Sequence, residues 1–456
     1  MIKGRLEKLG YHPIPDGLMM PVSLWKSWYE GKVDSFHEYR QYNGKRVLKR
    51  SRKSLCMAKI ICEDWADLIF NEKVEILSSD QKVQNTMDRV FFKNNFRVCA
   101  NRLIEHAFAL GTAAFVEHKT SEGTVIDYVK ADMIYPLAFS NGVITECAFA
   151  SRMHIYGEMH TYLNVHVLEN GMYVVKNYLF NDKTGKRAPL PKGVAEEYHT
   201  GASIPLFQIM MPNIANNLSM DSPMGLSVFA NAIDVLEGID LVYDSYQNEY
   251  RLGKKRIVVP LSMAKIEMEQ QGDILPVFDD NDTEFYAFSG ADPDNYKIQE
   301  INMDLRAEAH EKGLQRNIDL LTDSCGFGSG RYNYTSGNIK TATQIISEQS
   351  DMYRNLKKHE LVAERVIREL VRAVLYLEGL NPDSEISVNF DDSIIEDAET
   401  IAERALLEKQ YGIIDSAEYL CRVYKMTREM AEEKVRSMDL ERVTEEETTE
   451  ENGEAK

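Results

Sequence analysis

Six cysteines in 456 residues, at Cys56, Cys62, Cys99, Cys147, Cys325 and Cys421, include no CxxC pair, which excludes a disulfide scaffold and a zinc knuckle. Reduced thiols among apolar neighbours are the expectation. The ten histidines show no pairing at ligand spacing; His37-Glu38 and His359-Glu360 each lack the second histidine of a metalloprotease helix. Asp279, Asp280 and Asp282 cluster without the glycine and glutamate that a calcium loop needs. Gly326, Gly328 and Gly330 start a GxGxG with no strand–turn–helix around it, so neither a dinucleotide nor a P-loop fingerprint is present. Asp391-Asp392 reads as a helix cap rather than a magnesium pair. No catalytic constellation, cofactor or metal is therefore expected. No run of about 18 apolar residues occurs, and MIKGRLEKLGYHPIP has no apolar core of a signal peptide, so neither secretion nor membrane spanning is expected. The balance is acidic, a net charge of −19, which argues against a free-standing nucleic-acid clamp. Salt screens charges beyond about 8 Å, so a local basic site remains able to touch phosphate.

What is present reads as an α+β chain with unusually long helices. Trp25 and Trp28 sit on a short helix that stops at Gly31 and anchor it to the body. From Arg40 to Lys59 come eight cations and no acid, the most basic stretch of the chain. It reads as a solvated loop, with contact to nucleic acid or to an acidic neighbouring subunit as the other options. Leu55, Ala58, Cys62, Trp65 and Ile69 step three and four along one helix, and a second tract runs from about Gln81 to Leu110. From Thr112 to Met211 the period changes to two, with hairpin signals at Asn141-Gly142 and Asn170-Gly171, which predicts an antiparallel meander.

A rod is predicted from the cap Asp221-Ser222-Pro223 to about Leu252. Its seam is Phe229, Ala232, Leu236, Ile239, Tyr243, Tyr246 and Tyr250, and Asp234, Glu237, Asp240 and Asp244 lie off it as an acidic face. Residues 254–300 read as a small module of strands near 257–259, 274–278, 283–288 and 296–301, with a short helix near 262–270. A helix returns over 304–322. A glycine- and tyrosine-rich loop, 325–337, follows and is expected to be loose. Thr341 and Gln344 form a capping box. With no glycine or proline up to Glu378, the next helix should be roughly 60 Å long at 1.5 Å per residue. Its seam is Ala363, Val366, Leu370, Val374 and Leu377. Ile386–Phe390 is a lone alternating strand expected to rejoin the β region. Short helices are predicted over 394–411, 416–424 and 427–438, before a glutamate-rich tail expected to be disordered.

This order of elements resembles the portal protein of tailed bacteriophages, of the type found in phages and prophages of Gram-positive bacteria. The resemblance rests on Trp28-Tyr29-Glu30-Gly31, on the helix from Met57-Ala58-Lys59 to Asn71-Glu72-Lys73, and on Pro212-Asn213 through Asp221-Ser222-Pro223. It rests also on Gly225 through Ala232, Asp240 with Tyr243-Asp244, Thr341-Ala342-Thr343-Gln344 and Asp391-Asp392-Ser393. It implies a wing over 1–221, stem helices over 222–253 and 301–323 and a clip over 254–300. A tunnel loop would span 324–340, a long wing helix and returning strand 341–394, crown helices 395–440 and a disordered acidic tail 441–456. It further implies a dodecameric ring at one capsid vertex, through which double-stranded DNA passes without sequence preference. The implied partners are the terminase large subunit, a head–tail adaptor protein, and the major capsid and scaffold proteins; no membrane and no catalysis are implied. The implied location is the virion, with assembly in the host cytoplasm.

Within that frame Phe327, Arg331, Tyr332, Asn333 and Tyr334 are expected in the tunnel loop. Lys254, Lys255, Arg256 and Arg331 are candidates for a few weak phosphate contacts. Asp234, Glu237, Asp240 and Asp244 are candidates to line the channel. A different phage structural protein with a helical hairpin, such as a scaffold or baseplate component, is the rival reading. A nuclease using the aspartate clusters is the weakest.

Overall fold

Three helices bury the aromatic side chains Trp25 and Trp28, Trp65, and Phe96 and Phe108. A computed structural model describes residues 2–42, 46–121, 123–155, 157–252, 256–260, 266–268, 274–276, 284–288, 299–301, 304–328, 330–332, 342–390, 405–424, 428, 431–432 and 434–436. Over 252–301 and 342–350 only the backbone is described. Two compact units are present, Met1–Val388 and Asn389–Lys456.

In the first unit, α1 (Ile2–Lys8), α2 (Val22–Tyr29) and α3 (Asp34–His37) precede a hairpin of β1 (Glu38–Tyr42) and β2 (Val47–Ser51). Trp25 and Trp28 are buried on α2, as their spacing predicts. Most of the basic tract thus lies in an antiparallel pair of strands and not a loop; Tyr39, Tyr42 and Val47 supply the aromatic and β-branched strand preference for that pairing. Next come α4 (Met57–Ile69), β3 (Glu75–Ser78), α5 (Gln81–Lys93) and α6 (Phe96–Leu110). The single helix expected over 81–110 is broken. Asn95 takes a left-handed φ of 48°, and the Asn94 amide accepts from Ile126 N at 2.9 Å and donates to Thr124 O at 3.0 Å. The side chain satisfies the edge of a neighbouring strand at the expense of helix continuity.

That strand is β5 (Gly123–Lys130), which pairs with β4 (Ala113–Thr120). β6 (Ile134–Ser140), β7 (Val143–Ile155), β8 (Glu158–Glu169), β9 (Met172–Asn181), β10 (Arg187–Ala188) and β11 (Glu197–His199) form the predicted meander. Both predicted tight turns occur: Asn141 and Gly142 have φ of 51° and 76°, Asn170 and Gly171 52° and 79°. Two successive positive φ values make the turn that matches strand twist, and Asn-Gly adopts it with least strain. The β12 strand (Phe207–Met210) joins β4, giving a second, three-stranded sheet. Phe207 bridges the sheets against Phe149, His166 and Tyr173. Leu6 of α1 is fully buried against Ala148, Leu163 and Val165 of the meander, a docking the sequence did not announce.

Two long helices follow, α7 (Ile233–Leu252) and α8 (Ala307–Ser324). The first begins eleven residues after its expected cap at Ser222. Ser222 instead donates to Leu18 O at 2.6 Å, and residues 223–230 run buried across the end of α6. There Val228 N and the Ser227 hydroxyl both donate to Phe108 O, at 2.9 and 3.2 Å, satisfying a helix-terminal carbonyl that has no partner of its own. Gly225 makes this crossing possible, because a Cβ there would lie 2.1 Å from Gly111 O. α7 and α8 pack where Gly238 faces Asn317 and Gly313 faces Val242. Arg306 clasps Glu249 with two bonds of 3.0 and 2.8 Å and holds that carboxyl down at about 2.

Between these helices lie β13 (Arg256–Pro260), β14 (Ile266–Met268), β15 (Ile274–Pro276), β16 (Glu284–Phe288) and β17 (Gln299–Ile301). β13 pairs parallel to β16 and antiparallel to β17, and β14 pairs β15. Where a helix is expected near 262–270, the described residues 266–268 are a strand whose backbone pairs antiparallel with β15, and cross-strand pairing there overrides the helical reading. The α9 helix (Ala342–Leu377) has 36 residues, about 54 Å at 1.5 Å each, and packs on β4 and β12 through Ala363, Val366, Leu370 and Val374. Glu378, just past its end, accepts from the Thr124 hydroxyl and from Arg89, at 2.7 Å, and Lys119, two cations that also suit the negative end of the helix. β18 (Ile386–Asn389) does not rejoin the meander but pairs with β3, where Ser78 donates to Glu385 O at 3.1 Å. In the second unit helical residues 405–410 and α10 (Ser416–Tyr424) are tied by Arg422–Glu408 at 2.8 Å, and Arg428 joins Asp415 and Glu418 at 2.9 and 3.0 Å.

Candidate functional site

The four α7 acids expected to form one acidic face do not share one environment. Asp234 is exposed and Glu237 half-exposed, and among the described residues neither has a cationic partner. Asp240 and Asp244 are buried at 3% and 7% exposure. The His37 ring accepts from Val33 N at its Nδ1, 2.8 Å away, which leaves Nε2 to donate to Asp240 Oδ2 at 3.0 Å. Asp240 Oδ1 accepts from Leu55 N at 2.7 Å, and Asp244 accepts from Lys53 N at 3.2 Å and Asn248 at 2.9 Å. These two carboxylates secure the root of the β1–β2 hairpin to α7. They face the chain's own residues 37–55 and not an open surface.

The described part of the loop, 325–328 and 330–332, is wound down instead of loose. Gly326, Gly328 and Gly330 take φ of 88°, 77° and 90°. Phe327 N donates to Thr322 O at 2.9 Å and Gly326 N to Asp323 O at 3.1 Å, the paired bonds that close a helix on a left-handed glycine. Phe327, at 2% exposure, is a core residue stacked on Trp65 with ring centroids 4.4 Å apart. Trp65 also contacts Phe108 and His359 and donates to Cys325 O at 3.1 Å. Beyond Phe327, Tyr332 donates to Asp64 Oδ2 at 2.6 Å and Arg331 Nε reaches the same oxygen at 3.2 Å. Burial, then the Asp64 hydrogen bond, push the Tyr332 phenol above its ordinary value. Arg331 remains at the surface. The loop's glycines thus serve tight winding, and Asp64, Trp65 and Asn355, which donates to Gly326 O at 2.9 Å, are its anchors. None of the three was singled out as an anchor in the sequence, since each belongs to a distant helix.

Asn333, Tyr334, Lys254 and Lys255 lie outside the described residues, and Arg256 is described only as backbone of β13. Asp279, Asp280, Asp282, Asp391 and Asp392 also lie outside them. His359 is buried and accepts from Asn213 N at 3.0 Å, a structural role. Among the described residues no group of three His, Cys, Asp or Glu side chains is placed to hold a metal, and no helix is long and apolar enough to cross a membrane.

One buried polar pair stands apart. Glu117 on β4 is 1% exposed, and among the described residues neither of its oxygens nor the Gln208 carbonyl oxygen on β12 has a hydrogen-bond partner. Burial pushes the Glu117 carboxyl up to about 8; the nearby Gln208 amide works the other way but forms no well-directed bond and is outweighed.

A family model described as phage portal protein, SPP1 Gp6-like, matches residues 22–450, nearly the whole chain. No curated protein matches.

Proposed function

Because the chain belongs to the phage portal protein family, SPP1 Gp6-like, we propose that its copies close into a ring, dodecameric as in the resemblance drawn above, and conduct double-stranded DNA during packaging and ejection. The family is one of structural, capsid-associated oligomers and not a known enzyme family. The observation that carries the reading is the match over 22–450, which spans both long helices, the strands between them and α9. In this reading α7 and α8 are the stem, 254–300 the clip on which the terminase large subunit and later a head–tail adaptor dock, and 324–340 the tunnel loop. Major capsid and scaffold proteins surround the ring.

The physical case for a conduit is electrostatic. A chain of net charge −19 gives an assembly that repels duplex DNA as a whole, so passing DNA is not held by many counterion-releasing contacts. Arg331, at the surface, with Lys254, Lys255 and Arg256, supplies a few weak phosphate contacts. Asp234 and Glu237, the α7 acids neither buried nor ion-paired among the described residues, are the stem groups left to face an axis. Arg331 and Tyr332 are the last described loop residues beyond Phe327, which holds the base of the loop.

Negative-stain images and a solution mass measurement test the ring: a closed ring with a central hole is expected, and a filament or a dimer would count against it. Deleting residues 328–334 tests the loop. Packaging at wild-type yield by rings of that variant would remove the loop from DNA transport.

A further inference from the structure

α7 and α8 pack side by side, and the pair leaves two unlike flanks uncovered. Gly238 faces Asn317 and Val242 faces Gly313, which fixes the sides on which the two helices meet. At about 100° per residue, Leu241 and Tyr243 then stand about 160° apart around α7, one to each side of the seam with α8. Leu241 is 48% exposed. On the other flank Tyr243 and Tyr246 are half-buried and Tyr250 is 48% exposed. The Tyr246 and Tyr250 hydroxyls meet at 3.2 Å, and the Tyr246 ring centroid lies 5.9 Å from that of His310 on α8.

α8 divides its charge between the same two flanks. The Tyr246 phenol is pushed up by its bond to Tyr250 and, further down the order of causes, by the charge of Glu311, which places Glu311 beside the tyrosines. Arg316 is about 140° from Glu311 around α8 and so joins the Leu241 flank. Both residues are exposed, and among the described residues neither has an ion-pair partner. One flank thus offers an apolar side chain and a spare cation, the other a tyrosine stripe and a spare acid. Two copies meeting through unlike flanks join head to tail and not as a two-fold pair, which is the arrangement that closes a ring. DNA would answer Arg316 but neither Leu241 nor the acid-bearing tyrosine flank; a second copy of the helix pair answers all of them.

We propose that the Leu241–Arg316 flank of one copy packs on the Tyr243–Glu311 flank of the next. Cyclic symmetry holds equivalent residues at one height along the ring axis. For helices that run along the axis, Leu241 then lies within about 3 Å of the level of Tyr243 and covers its ring. Arg316 and Glu311 differ by about 8 Å in height, which two long side chains span between them. Tyr250 carries the stripe outward. The contact begins at Leu241, so Asp234, about 10 Å nearer the start of α7, lies outside it. This inference rests on the ring reading and adds which surfaces of neighbouring copies meet.

The test uses the full-length chain in four forms, wild type, R316E, E311R and R316E/E311R, compared by mass photometry and negative stain. Circular dichroism and thermal melting verify that each subunit is folded. Either single change sets like charges against each other at every contact and should weaken subunit association about tenfold or more. The double change restores opposite charges and should regain rings. Arg316 and Glu311 lie on opposite flanks of α8 and do not pair within a chain, so that rescue comes from a neighbour. Single variants that assemble like wild type overturn the proposal, as does a folded double variant that stays apart. A benzophenone amino acid in place of Leu241, in rings mixed from heavy-isotope-labelled and unlabelled chains, should cross-link to residues 243–250 of a different copy; cross-links that land only elsewhere overturn the proposal as well. A wild-type chain that stays monomeric at every concentration sinks the ring reading and this inference together, whereas wild-type rings indifferent to R316E and E311R sink the flank contact alone.

Discussion

Replacing Glu117 by glutamine should stabilise the protein above pH 5, with an advantage that grows with pH. Burial holds the Glu117 carboxyl at about 8 in the folded chain, against 4.5 when it is solvated. Between those values the folded protein carries a proton that the unfolded chain has released. Stability is therefore lost as pH rises from 4.5 towards 8, by about 1.4 kcal/mol per pH unit. Glutamine is neutral throughout and brings an N–H donor to the unsatisfied Gln208 carbonyl, so it escapes the loss. Relative to pH 5, the Glu117→Gln advantage at pH 7 should be about 3 kcal/mol. Urea unfolding at pH 5, 6, 7 and 8 and constant ionic strength measures it, with the wild type and variant compared at each pH. The comparison matters because His166 and His359, driven down to about 3 by burial, take up protons only on unfolding. They remove stability as pH falls from 6.5 towards 3, in both proteins alike, and cancel in the difference. A gap that stays constant from pH 5 to 8 would refute the reasoning, since it would mean that Glu117 is ionised or hydrated in the fold.

Gly225→Ala should cost about 3 kcal/mol or more, because its Cβ has no room beside Gly111 O, a backbone atom that cannot swing aside; a melting temperature within a degree of wild type would contradict the crossing. Asp240→Ala leaves the His37 and Leu55 N–H groups buried without an acceptor and should destabilise by about 3 kcal/mol, read by thermal melting. Asp64→Ala removes the shared acceptor of Tyr332 and Arg331, so tryptic cleavage after Arg331 should speed up about tenfold while the melting temperature changes little. An unchanged cleavage rate would mean that Asp64 does not hold this segment.

Much of this was legible locally. Asn-Gly at 141–142 and 170–171 forced tight turns wherever the strands lay, and the period-two pattern between them predicted the meander that formed. The three- and four-residue steps of Ala363, Val366, Leu370 and Val374 announced α9 with its buried face. The misreadings came where a local preference met a distant partner. Ser222-Pro223 is a sound helix start, yet the chain there is spent on the carbonyls that end α6. Asn94-Asn95 ended a helix because β5 needed its edge satisfied. The acidic stripe of α7 was visible, but only the fold shows that Asp240 and Asp244 face inward.

The sequence by itself determined the helices, the turns, the absence of any metal or nucleophile motif, and the family resemblance, because each depends on residues close together along the chain or on their order. Tertiary structure decided which charges are spent and which are left over. Whether a carboxylate is held by His37 or stands open on α7, whether Phe327 reaches out or stacks on Trp65, and whether a basic tract is a loop or a ribbon depend on partners dozens to hundreds of residues away. No local pattern encodes those meetings, since the free energy that selects them comes from burying and pairing groups that only the folded chain brings together.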